Sequence, residues 1–210
     1  MKYLTITAVF ILFMSCNQAT SSLDKVDANK SLSYDTDTES LPAVSMSEGY
    51  PSLFNGHPKA QSLMNEAWYY SPVDDMAPFG SDDAADTYAY FKEWRSNNPQ
   101  TSPKAFLLQH FKRWGYPLFD LETTEYENIK PYLEQSELGS RLLFGIDAAI
   151  VATAFGQLYL EGKVDAGMKA LAKKAIQRQL LPNILDKWDN LKSVREQRLN
   201  DLLNILEKCE

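Results

Sequence analysis

Between Asp147 and Glu161 the chain reads AAIVATAFGQLYL, which is apolar on every face of a helix apart from Thr153 and Gln157. A helix that is hydrophobic all round has no side to offer water, so this one is expected at the centre of the fold with other elements around it. Asp147 reads as its N-cap and Gly162 as its stop. The flanking sequence supplies helices to surround it. His57-Pro58 opens one, with Ala60, Leu63, Met64, Ala67 and Trp68 at helical spacing until Ser71-Pro72. Ser81 caps another that runs to about Asn97, with Asp82 and Asp83 in its first turn and Ala84, Tyr88, Phe91 and Arg95 along one stripe. Thr101-Ser102-Pro103 begins a helix through Trp114, stopped by Gly115, in which Phe106, Leu107, His110 and Phe111 share the apolar side. Glu125 to Leu138 is a weaker candidate, since Pro131 within it implies a late start or a kink. Asp165 caps a helix to about Leu180. A last helix, about Asn183 to Lys208, carries Ile184, Trp188, Leu191, Leu199, Leu202 and Leu206 on one side. Strand-like alternation is scarce, and the expectation is an all-α, bundle-like single domain.

The 210 residues carry a formal charge of −7. Without residues 1–15, whose one charged side chain is Lys2, 20 basic groups face 28 acidic ones, so phosphate backbones are repelled on average and no nucleic-acid partner is expected. Lys112, Arg113 and the group Lys173, Lys174, Arg178 read as solvated helix faces. Of the two cysteines, Cys16 and Cys209, neither has a useful disulfide partner in the other. Cys209 reads either as a free thiol in a fraying C-terminus or as a link between two chains.

The N-terminus reads as an export signal. Lys2 supplies positive charge, and Tyr3 to Met14 is an apolar run too short to span a bilayer and suited to the core of a signal peptide. It ends at Ser15-Cys16, which resembles the cleavage site of bacterial lipoprotein signals, with Phe13 where an aliphatic residue is more usual. The resemblance implies that the Cys16 thiol receives a diacylglyceryl group, that residues 1–15 are removed and that the new amine is acylated, by palmitate or a similar chain. Several acyl chains give firm anchoring at about 0.8 kcal/mol per buried CH₂. Residues 16–50 are rich in Ser, Thr, Asp and Asn without sustained periodicity, and read as a tether with a reach of roughly 30 Å. The helical domain is expected over residues 51–210, in the bacterial cell envelope, with the membrane as its partner through lipid.

The densest polar constellation is Asp74, Asp75, Asp82, Asp83 and Asp86, around Pro78-Phe79-Gly80 and followed by Trp94-Arg95. Asp82 with Asp86, and Asp83 with Asp86, share a helix face. Capping, dipole complementation and a salt bridge to Arg95 account for these residues; the sharper alternative is a ligand site lined by Asp75, Asp82, Asp83, Asp86, Trp94, Arg95 and His57. Trp68, Tyr69, Tyr70, Tyr88, Tyr90, Phe91 and Trp94 supply core area, or else an aromatic groove with aspartates at its mouth. Neither metal nor cofactor is expected: two histidines lack zinc-site spacing, calcium-loop spacing is absent, and no nucleophile elbow or phosphate-cradling loop occurs. Gly156-Gln157 stands out, because glycine permits close helix approach and a buried glutamine needs partners.

Several features in order resemble the YfeS-like family of small bacterial proteins: His57-Pro58 with Ala60, Pro78 to Asp82, Asp86, Trp94-Arg95, Asn98-Pro99, Ala152-Thr153, Gly156 to Leu158 and Gly162 to Asp165. The resemblance covers about 54–185 and implies no activity. Some relatives carry a WGR domain; Arg113-Trp114-Gly115 is a different order at a helix end, so no nucleic-acid role carries over. The expected function is a non-catalytic binding or interaction domain on a lipid anchor. The alternatives are a carboxylate-dependent, hydrolase-like enzyme using Asp75, Asp82 or Asp86, and assembly with a protein partner or a second copy through the C-terminal helix.

Overall fold

A computed structural model describes residues 49–209. The signal, Cys16 and the tether as far as residue 48 lie outside the described residues, and Tyr50, expected as the end of the tether, packs against the core with its hydroxyl donating to the Phe79 carbonyl. Within them the chain is helical: α1 (Pro58–Leu63), a 3-10 turn (Ala67–Tyr70), α2 (Asp82–Asn97), α3 (Pro103–Trp114), α4 (Tyr126–Glu134), α5 (Gly139–Glu161), α6 (Ala166–Gln179), α7 (Pro182–Leu185), a second 3-10 stretch (Asp186–Leu191) and α8 (Lys192–Lys208).

As its composition requires, α5 is the axis of the domain. Helices α1, α2, α3, α4 and α6 pack against it, and α8 packs on α6. Its length and hydropathy match a membrane span, yet 83% of its 18-residue apolar window is buried inside the domain. The closest neighbour is α2, which lies where α5 presents glycine: a methyl group at Gly156 would sit 3.0 Å from the Tyr88 ring and 3.3 Å from Phe91. Gln157, also buried, accepts from the Asp165 backbone N–H at 2.8 Å and donates to Glu161 at 3.1 Å, so it ties the end of α5 to the start of α6.

The local stop and start signals act as expected at several ends. Ser81 Oγ accepts from Ala84 N (3.3 Å), and Asp165 Oδ1 from Gly167 and Met168 N, both at 3.1 Å. Gly115 and Gly162 end α3 and α5 in the left-handed region, at φ 69° and 70°.

Four boundaries need correction. The first helix stops at Leu63, and residues 67–70 form a separate 3-10 turn. The weak candidate is confined to Tyr126–Glu134 and continues through Pro131, which forgoes one i→i−4 bond. Asp147 is no N-cap, because α5 begins at Gly139 and carries Asp147 two turns inside, 2% exposed. The C-terminal helix is broken: Asp189 adopts φ 44° and ψ −120°, so Trp188 and Leu191 are out of register with α8. The apolar face of α8, with Leu199, Leu202, Ile205 and Leu206, is buried within this chain. Cys209 does not fray: it is 1% exposed at the C-cap of α8, where its carbonyl accepts from Lys169 Nζ.

Candidate functional site

A cavity of about 470 Å³ opens between α2, α5, α6 and α8, within the size range of small-molecule sites. Met76, Ala77 and Pro78 and the first turn of α2 form one side, and Phe144, Asp147, Ala148 and Val151 of α5 the back. Ile176 and Gln179 of α6, Trp188 of the 3-10 stretch, and Arg195, Leu199 and Leu202 of α8 complete it. The Phe144 and Trp188 rings meet edge to face, 6.0 Å apart.

Asp147 organises the interior. Its Oδ1 accepts from Arg178 Nη2 (2.6 Å) and Nε (3.2 Å), and its Oδ2 from Gln179 Nε2 (2.7 Å). The remaining donor of Arg178 reaches the Leu121 and Thr123 carbonyls at 2.6 and 2.8 Å. Burial pushes the Asp147 carboxyl above its ordinary range, opposed chiefly by Arg178. Three donors on its two oxygens, one of them a guanidinium fork, favour the charged carboxylate. Arg178, expected on a solvated face, is instead 0% exposed. It lies on the face of α6 that also carries Leu171, Ala175 and Gln179.

Arg195 is the other buried cation. Its guanidinium lies 4.6 Å from the centre of the Trp188 ring. Desolvation lowers its pKa to about 10, while Asp147, Asp74 and Asp75 pull the other way from a distance. It therefore stays charged at neutral pH. Among the described residues, no carboxylate pairs with it within 4.0 Å. Among the same residues its Nε finds no hydrogen-bond partner, and neither does Gln179 Oε1. An unpaired buried polar atom costs about 1–3 kcal/mol, so the fold bears a cost on two residues that line one cavity.

Of the expected site residues, Asp75, Asp82 and Asp83 line this cavity, with Lys187 sharing the rim. Asp83 is ion-paired with Arg141, whereas Asp75 and Asp82 are exposed. Asp86 points outward on α2 and is also exposed. Arg95 meets none of the aspartates; it pairs with Glu161 and donates to the Asn98 and Thr101 carbonyls, fastening the ends of α2 and α5. Trp94 borders a second, smaller cavity of about 270 Å³ with Tyr90, His110 and Arg113. The groove expected from aromatics and aspartates together is thus divided between two places. His57 caps α1 through Nδ1, which accepts from Lys59 N at 3.1 Å, and its ring abuts Gly162. Among the described residues no three His, Cys, Asp or Glu side chains converge as a metal site would require.

Sequence reasoning missed Asp147, Gln179, Trp188 and Arg195. The signal available was the register of α6, where Arg178 and Gln179 follow Leu171 and Ala175 at steps of three and four along the buried face.

In comparisons with known proteins, the uncharacterized protein YfeS of Escherichia coli (strain K12) is 27% identical over 150 residues. The match covers 69% of this chain, and the chain spans 59% of that relative's length. No family model matches, and no solved structure does.

Proposed function

We propose that this protein is a non-catalytic binding domain, held at a membrane of the bacterial envelope by lipid on Cys16, and that its α5–α6–α8 cavity receives a small ligand. The observation that carries the reading is the buried Arg195 guanidinium, without a counter-ion among the described residues, on the wall of a cavity of about 470 Å³. A desolvated charge is retained where something pairs with it part of the time. The buried carboxylate there, Asp147, is held in an ion pair by Arg178 and by Gln179, which makes it a poor general base. Asp75 and Asp82 sit at the solvent side, not in the water-poor setting an acid catalyst needs. The lipid rests on the apolar run, Ser15 and Cys16.

Two measurements test the reading. Native mass spectrometry of the full-length protein, extracted from its own membranes in mild detergent, is expected to show a non-covalent small-molecule adduct that the cavity-filling variant Ala148→Trp lacks. An adduct of the same mass in both, or none in either, rejects the cavity as the binding site. For the anchor, cells fed radioactive fatty acid should label the wild type, and Cys16→Ser should lose the label and leave the membrane fraction. Unchanged sedimentation of that variant rejects the anchor.

A further inference from the structure

We infer that the cavity receives short peptides by their free C-terminus, an apolar last residue lying in the cavity body and the N-terminal ammonium towards its rim. This rests on the binding role proposed above and gives it a ligand class. Two of the charged groups on the cavity wall are already paired, Asp147 with Arg178 behind it and Asp83 with Arg141, whereas the buried Arg195 guanidinium has no ion-pair partner among the described residues. Arg178 has its donors committed to Asp147, Leu121 and Thr123, which leaves Arg195 as the free one. Its planar fork matches a carboxylate.

A second requirement comes from the exposed carboxylates of Asp75 and Asp82 at the mouth. A simple fatty acid meets Arg195 but brings no cation for them. A peptide brings both, a carboxylate at one end and an ammonium at the other. Val151, Ile176, Leu199 and Leu202 give that last residue an apolar wall, and the Trp188 and Phe144 rings give it a flat one. At the rim Asp83 and Arg141 neutralise each other, and Asp75 and Asp82 outnumber Lys187, which suits a primary ammonium at the other end of the ligand. The volume exceeds what a single amino acid fills and accommodates two or three residues.

The test is isothermal titration of the full-length, detergent-solubilised lipoprotein with the tripeptide Ala-Ala-Leu, its C-terminal amide, its N-acetyl form, free leucine and octanoate. The free acid is expected to bind, and amidation to weaken it about 10- to 100-fold, the range for removing one charge-assisted interaction. Acetylation should weaken it less, because the rim is solvated. Leucine and octanoate should each bind at least about tenfold more weakly than the tripeptide. Arg195→Gln should reduce affinity for the acid by the same factor as amidation and leave the amide unchanged; the ligand comparison on the wild type stands whether or not that variant folds. Equal binding of acid and amide, octanoate or leucine matching the tripeptide, or no binding of the tripeptide overturns the inference. If the peptide fails while the extracted protein still carries an adduct that Ala148→Trp lacks, only the ligand class is rejected. If neither is seen, the binding role falls with it.

Discussion

His110 shows how one side chain can be fixed by its surroundings. It is 1% exposed, its ring stacks on Phe106 at 5.2 Å, and Nε2 lies 3.1 Å from Thr87 Oγ1. The Thr87 hydroxyl already donates to the Asp83 carbonyl, so it accepts from His110, placing the proton on Nε2 and leaving Nδ1 unpartnered. Desolvation, with help from Arg113, lowers the His110 pKa from 6.5 to about 4. Between these values the unfolded chain binds the proton and the folded one does not. Stability is therefore complete above about pH 6.5 and falls as pH drops towards 4, by up to about 3 kcal/mol from this group. Urea denaturation of wild type and His110→Phe at pH 7.5 and 4.5 checks the sign: the wild type should lose more than the variant on acidification, and equal losses would refute the assignment. The sequence revealed His110 as a core residue because it sits in an apolar stripe. It could not reveal Asp147, since an aspartate before an apolar run is the ordinary mark of an N-cap, and the partners that make it tolerable inside α5 arrive from α6, more than thirty residues later.

Helix ends separate what is local from what is not. Gly115 and Gly162 share nearly the same left-handed φ, but a methyl group at Gly115 would meet nothing within 4 Å, while at Gly162 it would lie 2.2 Å from the His57 ring. The two positions thus divide one substitution into its parts. Gly115→Ala should cost about 1–2 kcal/mol for the backbone alone. Gly162→Ala should cost about 1–3 kcal/mol more, because His57 is held by its N–H to the Tyr159 carbonyl and by its cap on α1. Chemical denaturation of both variants measures the difference, and equal losses would show that His57 moves aside freely. Stops of this kind, and the caps at Ser81 and Asp165, were legible because they depend on a few neighbouring residues. The break at Asp189 was not: the apolar stripe looked continuous from Ile184 to Leu206, and the weak helix propensity of Asp189-Asn190 alone does not end a helix. Trp188 leaves the stripe to meet Phe144 of α5 and to lie beside Arg195, contacts that exist only once the domain is assembled.

For the whole molecule, the all-α architecture followed from one demand, that α5 be surrounded, and the helices that surround it were readable from their own caps and stripes. The cavity was only half readable, because its rim comes from one segment, residues 75–83, while its interior is assembled from α5, α6 and α8. The same closure extends to the C-terminus. Cys209 belongs to the core, 1% exposed, and burial raises its thiol pKa. Its carbonyl is tied to Lys169 on α6, so releasing the thiol means lifting the end of α8 from the domain. A fraying end opens without exposing much surface, and its labelling rate barely responds to low denaturant; an end sealed into the core opens with the domain, and its rate climbs with denaturant at nearly the slope of global unfolding. Labelling by a thiol reagent at increasing urea below the unfolding midpoint should follow the second pattern. Leu199→Ala, which removes a buried side chain from the core face of α8, should accelerate labelling by the factor its lost stability predicts, about 100-fold for a loss near 3 kcal/mol. A rate flat in urea and indifferent to Leu199 would mean that the end of α8 moves alone, and Cys209 would then be free to join two chains.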